Sequence, residues 1–317
     1  MNPLPQTHAS AAHAVRTVRT AALLAASVLL CAWNLPAQAA MRNFSAQKPA
    51  DPAGTVEIVN VAGSIEVSGW DQPTVDVSGT IGERVERVDV NSSGNRTTVR
   101  VVLPSGNSWN GSGDASAAHL KIRVPQKSAL EVSLVSADLR ISGVSGNQHL
   151  KTVSGDIAGD VTGNLEANTV SGDVRLAAHS SHTTQLQTVS GDINLSGADG
   201  DLQVNTVSGD AQLVLGALTR AHLETVSGDL HVTGALAAGG QLDATSVSGD
   251  VRVDFTTAPD ADFDVQTFSG DISNCFGPKP VEEHYGPGNR LNFTNGKGGG
   301  RVHIDSKSGD VTLCTGK

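Results

Sequence analysis

TVSGDVRLAAHSSHTTQLQTVSGDINL, residues 169–195, states one phrase twice at a spacing of 19 residues. The phrase is Thr-Val-Ser-Gly-Asp followed by an aliphatic residue, and it returns along much of the chain. Ser-Gly-Asp triplets end at Asp156, Asp173, Asp192, Asp210, Asp229, Asp250, Asp271 and Asp310, in steps of 17 to 21 residues and a last step of 39. Asp138, in Val135-Ser136-Ala137-Asp138, is a degenerate earlier copy. A period of this length, carried by Val, Thr, Ser and Gly without a helical pattern, predicts stacked β coils.

Apolar positions alternate around the triplet. Val170, Val174 and Leu176 share one parity, and Ser171, Asp173 and Arg175 share the other, as in a half-buried strand. A second alternating stretch precedes each triplet, as in Leu202-Gln203-Val204. Each coil is therefore expected to hold two or three short strands, with equivalent positions stacked about 4.8 Å apart in parallel register. The expected fold is all-β: a single-stack parallel β-solenoid of about 18–21 residues per coil with an irregular N-terminal end. Val153, Val170, Val189, Val207, Val226 and Val247, closed by Phe268, are expected to form one inward ladder, each member worth roughly 1.5–3 kcal/mol when buried. On that reading Val207→Asp unfolds the array and Gln203→Asp is nearly silent. The triplet glycine serves a positive φ or a close backbone approach at a bend, and its Ser and Asp neighbours bond local amides.

Three segments are expected. Residues 1–39 read as a signal peptide: Arg16 and Arg19 precede an apolar run from Ala21 to Trp33, and Ala37-Gln38-Ala39 supplies a small-x-small cleavage pattern. Leu30 ahead of Cys31 does not fit a lipobox. Residues 40–118 carry strand chemistry without the triplet, as diverged coils or a cap, and residues 119–317 form the regular solenoid with a loop insertion at 276–300. Nothing after the leader is apolar long enough to span a bilayer. The chain is expected to be exported, periplasmic before secreted or cell-surface. Cleavage takes two of 22 basic side chains and none of 32 acidic ones, so the net charge of −10 deepens and argues against nucleic acid as a partner.

Cys275 and Cys314 each lie four residues after a triplet aspartate, so they occupy equivalent places in the repeat. Were the final step two full coils, their Cα atoms would stand about 9.6 Å apart, beyond the roughly 7 Å limit for a bridge. If 276–300 is thrown out of one long coil, the separation falls near 4.8 Å and a disulfide fits an exported protein. The second arrangement is expected, with Lys307, standing where a valine would continue the ladder, marking the end of the stack.

Stacked aspartates raise a charge problem, since unit charges 4.8 Å apart repel by about 1 kcal/mol in water. Backbone amides are one offset, bridging calcium the sharper alternative. His149, His179, His182, His222 and His231 sit at non-equivalent places, and no catalytic elbow, zinc motif, phosphate loop or dinucleotide fingerprint calls for a cofactor. Phe276, His284, Tyr285 and Phe293 concentrate aromatics in the loop, either as a ligand surface or as a cap on the core.

The repeated Thr-Val-Ser-Gly-Asp unit, the early Val61-Ala62-Gly63-Ser64-Ile65-Glu66-Val67 stretch and the Leu120-Lys121-Ile122-Arg123-Val124-Pro125 segment together resemble the DUF4097 family of bacterial β-strand-repeat proteins, labelled putative adhesins. The resemblance implies a β-solenoid in the cell envelope and transfers no catalytic residue. The expected function is a non-enzymatic, adhesin-like or structural scaffold that binds an envelope protein or polymer. A carbohydrate-active enzyme on the same scaffold is the alternative.

Overall fold

The computed structural model describes residues 41–104, 114–179, 183–282 and 288–316. Residues 1–39, the expected leader, lie outside them. Apart from a 3-10 turn at Asp114–Ser116, the regular elements among the described residues are strands.

Each coil has two arms that meet at the Ser-Gly-Asp corner. Thr183–Ser190 enters one corner and Ile193–Ser196 leaves it; Gly200–Ser208 enters the next and Ala211–Ser227 leaves it. Entering arms pair with entering arms, so Leu186 stands beside Ala167 and Val204 in parallel register. Leaving arms do the same, with Leu195 beside Leu176 and Leu213. Every arm thus satisfies its backbone on the coils above and below, while period-2 alternation sends one side chain in two inward. The core is the space between the two arms. The column Leu150, Ala167, Leu186, Val204 and Leu223 faces Leu176, Leu195, Leu213, Val232 and Val253, none more than 3% exposed.

The expected valine ladder exists, but it faces the wrong way. Val153, Val170, Val189, Val207, Val226 and Val247 are 44–46% exposed and Phe268 is 58% exposed. The residue before each is the buried one: Thr152, Thr169, Thr188, Thr206, Thr225, Ser246 and Thr267 are at most 5% exposed. Alternation holds along each arm but slips at the corner, where Val170 and the next residue, Ser171, both point out. Parity counted through the triplet from Val174 back to Val170 therefore inverts the true face. Val207→Asp consequently alters a surface position.

A clean single stack is also only part of the architecture, because the sheet is mixed and both ends are interleaved. Thr55–Trp70 forms a coil that pairs in parallel with Ala129–Val144 on one side and with Arg96–Val102 and Ala118–Pro125 on the other. Beyond it, Thr74–Ile81 runs antiparallel to Ala118–Pro125, Arg42–Pro49 antiparallel to Thr74–Ile81, and Arg87–Ser93 antiparallel to Arg96–Val102.

At the other end Gly300–Ser308 inserts between Leu230–Ser248 and Ala261–Ser269, while Val311–Thr315 inserts between Val251–Phe255 and Ile272–Asn274. Lys307 therefore lies between Val247 and Phe268 in the outer column, one coil short of the end where the sequence placed it. The 276–300 segment is not a plain loop: Asn289–Asn295 runs antiparallel along Ala261–Ser269, with Val281–Glu282 antiparallel on it in turn. Antiparallel strands at both ends cover edges that would otherwise be open to further pairing.

Candidate functional site

The repeated corner is where the chain spends its distinctive residues. The backbone N–H of each triplet aspartate donates to Oδ1 of the aspartate one coil before it. The series Asp138, Asp156, Asp173, Asp192, Asp210, Asp229, Asp250, Asp310, Asp271 is unbroken at 2.8–3.1 Å. These charge-assisted bonds answer the like-charge repulsion coil by coil. Asp173 shows the consequence: the Asp192 N–H, and then the Arg175 guanidinium, hold its carboxyl below the usual carboxylate range.

The glycine inside the corner has no room for a side chain. A Cβ at Gly172 would lie 2.1 Å from the Gly155 carbonyl oxygen, and at Gly209 it would meet Gly191 O at 2.3 Å with φ at +135°. Where the residue beneath the corner is serine it turns back into it, as Ser246 Oγ donates to Gly249 O at 3.1 Å and Ser306 Oγ to Gly309 O at 3.3 Å.

Two outer faces flank the corner. On the entering-arm face, the valine column and the column beside it enclose a groove of about 510 Å³ lined by Gln187, Asn205, Glu224 and Thr245 on one bank and Val189, Val207, Val226 and Val247 on the other. On the leaving-arm face, Arg140, Ala158, Arg175, Asn194, Gln212, His231 and Arg252 stack in one column. A shallower groove of about 390 Å³ runs there past Arg175, Asn194, Ser196, Gln212 and Val214. Asp254 is drawn below the usual carboxylate range by Arg252 and then His231, so this basic column is partly neutralised in place.

The expected site residues distribute unevenly. Cys275 and Cys314 form the disulfide, with Cα atoms 4.8 Å apart. Phe276 and Phe293 are half-buried and pack against the end of the core, with ring centroids 5.6 and 4.5 Å from Phe263. His284 and Tyr285 lie outside the described residues. Ser64 Oγ bonds His119 Nδ1 at 2.8 Å, and Asp138 stands in register on the other side of Ser64. That order places serine in the middle, whereas proton relay to a serine needs the histidine there. Among the described residues no group of three or more His, Cys, Asp or Glu is placed to share a metal ion. Alternation placed Arg175 outside, as the structure has it, but gave no sign of the outward valine column, because the corner inverts the parity count there.

Coils stacked through a Ser-Gly-Asp corner, with repeated columns on two flat outer faces, define an all-β repeat protein. The chain belongs to the Toastrack DUF4097 family, whose model matches residues 56–314. Among solved structures, the chain is similar to a "putative lipid binding protein" from Parabacteroides distasonis ATCC 8503, with 14% identity over 87% of this chain and 97% of that chain at a TM-score of 0.45. It is similar also to a "putative adhesin" from Bacteroides fragilis NCTC 9343, with 12% identity over 86% of this chain and 97% of that chain at a TM-score of 0.39. No curated protein matches the chain.

Proposed function

We propose that the protein is an exported, non-enzymatic binding or scaffold protein of the cell envelope, most suited to the periplasm, whose contact surface is the leaving-arm face. The observation that carries this reading is the column from Arg140 to Arg252, which lines up basic and amide side chains on a chain of net charge −10. Repetition at about 4.8 Å presents donors along a straight line, which suits an extended envelope polymer or protein bearing carboxyl and hydroxyl groups. Rigid stacking holds that line at little ordering cost on binding. The disulfide fits an oxidising compartment, and no helix among the described residues is long and apolar enough to cross a membrane.

The test joins cell fractionation to binding of labelled protein to purified envelope material. Asn194→Glu with Gln212→Glu should abolish retention while leaving the melting temperature within a few degrees. Retention unchanged by that pair would remove the face from the proposal, and turnover of a polysaccharide panel by the wild-type protein would replace binding with catalysis.

A further inference from the structure

The outward valine column is left over once the core and the leaving-arm face are accounted for. From Val135 to Val247 it runs seven coils without interruption, each valine 43–46% exposed, until Lys307 breaks it. Apolar surface on the order of 500 Å² in one strip is at the upper end of what a monomer ordinarily shows.

We infer that this strip is the interface with a second copy of the same chain, packed face to face about a two-fold axis through Val189 with the two stacks antiparallel. Three observations select that occupant. The strip repeats at the coil spacing of about 4.8 Å, a pitch that another copy matches by construction. Seven coils by three columns measure roughly 30 by 14 Å, enough accessible surface to approach the roughly 800 Å² per partner of a standard interface. Charge then sets the register. In the column beside the valines, Lys151 lies in the second coil and Glu224 in the sixth, while Ser133, Asn168, Gln187, Asn205 and Thr245 between and around them are neutral.

Turning one copy over about Val189 sets the second coil against the sixth, so each Lys151 meets Glu224 of the other copy, twice per dimer. Gln187 then faces its own equivalent, Asn168 faces Asn205, and in the third column Glu131 faces Asp243 of the other copy, a like-charge contact at the corners of the patch where solvent screens it. A slip of one coil in one direction buries Lys307 over Val135, and in the other it leaves Lys151 over Asn205; both lose the pairing. An isologous contact of this kind closes as a dimer and does not propagate.

The test is sedimentation of the purified protein with charge variants. Wild type should be a dimer at about 10 µM, which needs a dissociation constant at or below the low micromolar range, about −8 kcal/mol. Lys151→Glu and Glu224→Lys should each raise the dissociation constant at least about tenfold, and the two together should restore it. Val189→Cys should cross-link to itself with a bis-maleimide spanning about 10 Å, one intersheet distance, whereas Val135→Cys should not. Circular dichroism confirms that each variant is folded, and Val189→Thr keeps the strand chemistry should Val189→Cys misfold; it should weaken the dimer. A monomeric wild type, absence of rescue in the double variant, or equal cross-linking at positions 135 and 189 would each overturn the inference. These readouts do not involve envelope material, so failure here leaves the binding face untouched, and the reverse holds as well.

Discussion

Valine and threonine share a shape and differ by one hydroxyl, yet in coil after coil the threonine is inside and the valine outside. The reason is the corner. Ser246, Ser306 and Thr225 return their hydroxyl to the glycine carbonyl three residues on, at 3.1, 3.3 and 3.5 Å, whereas the buried hydroxyls of Thr152, Thr169, Thr188 and Thr206 meet no protein partner, so the phase of the corner, not the hydroxyl bond, puts this residue inside. A valine in the outer column still gains from the valines above and below it through cross-strand contact. Where hydrophobicity alone would choose Val207 for the core, Thr206 occupies that place at 5% exposure, in line with Val204 at 1%. Val204→Asp should therefore destabilise the protein by more than about 4 kcal/mol, the range of an unpaired buried charge. Measured on the single chain, at protein concentrations too low for it to dimerise, Val207→Asp should stay within about 1 kcal/mol. Urea titrations of the two variants check this, and equal damage would mean the corner slip is misplaced.

The entering arm, the corner and the leaving arm form the repeated element, and the aspartate ladder ties one such element to the next. At Asp173 the energy of that tie depends on ionisation. Asp173 has its carboxyl held low first by the Asp192 N–H and then by Arg175, and Asp254 is held low first by Arg252. A carboxylate depressed in the folded state adds stability that is present above its unfolded pKa and disappears as pH falls through the folded value. The melting temperature should accordingly be flat from pH 7 to about 5 and drop below about pH 4. Asp173→Asn keeps an acceptor oxygen but cannot titrate, so its melt should fall less steeply with acid. Scanning calorimetry at pH 7, 5 and 3 measures the difference, and a wild-type slope in the variant would exclude Asp173 as a contributor. Asp173 is a surface group, so the effect belongs to a few degrees, not to collapse.

Across the entire protein, stability accumulates from coil to coil, and the ends decide where it fails. The Cys275–Cys314 bridge closes a separation of 39 residues, for which chain entropy allows about 4 kcal/mol. It clamps Val311–Thr315, inserted between Val251–Phe255 and Ile272–Asn274, to the last of these. Reduction should lower the melting temperature by about 5 °C or more, and hydrogen exchange should rise first in 261–274 and 300–315 while 183–215 stays protected. Uniform loss of protection would show instead that the array melts as one unit.

Much of this was already present in the amino-acid order. The period near 19 residues, the parallel stacking, the glycine at each bend and the cysteine pairing follow from local chemistry that any one repeat displays: alternation within an arm, a triplet that must turn, equivalent cysteines one coil apart. Two things depended on the folded chain. Which of two adjacent β-branched residues faces inward hinges on a phase slip at the corner, and a parity count has no means of registering a bend whose angle it does not know. The order of coils at each end hinges on which exposed edge a late strand joins. Edge hydrogen bonds are alike in every coil, so no residue in Gly300–Ser308 marks its place between Leu230–Ser248 and Ala261–Ser269.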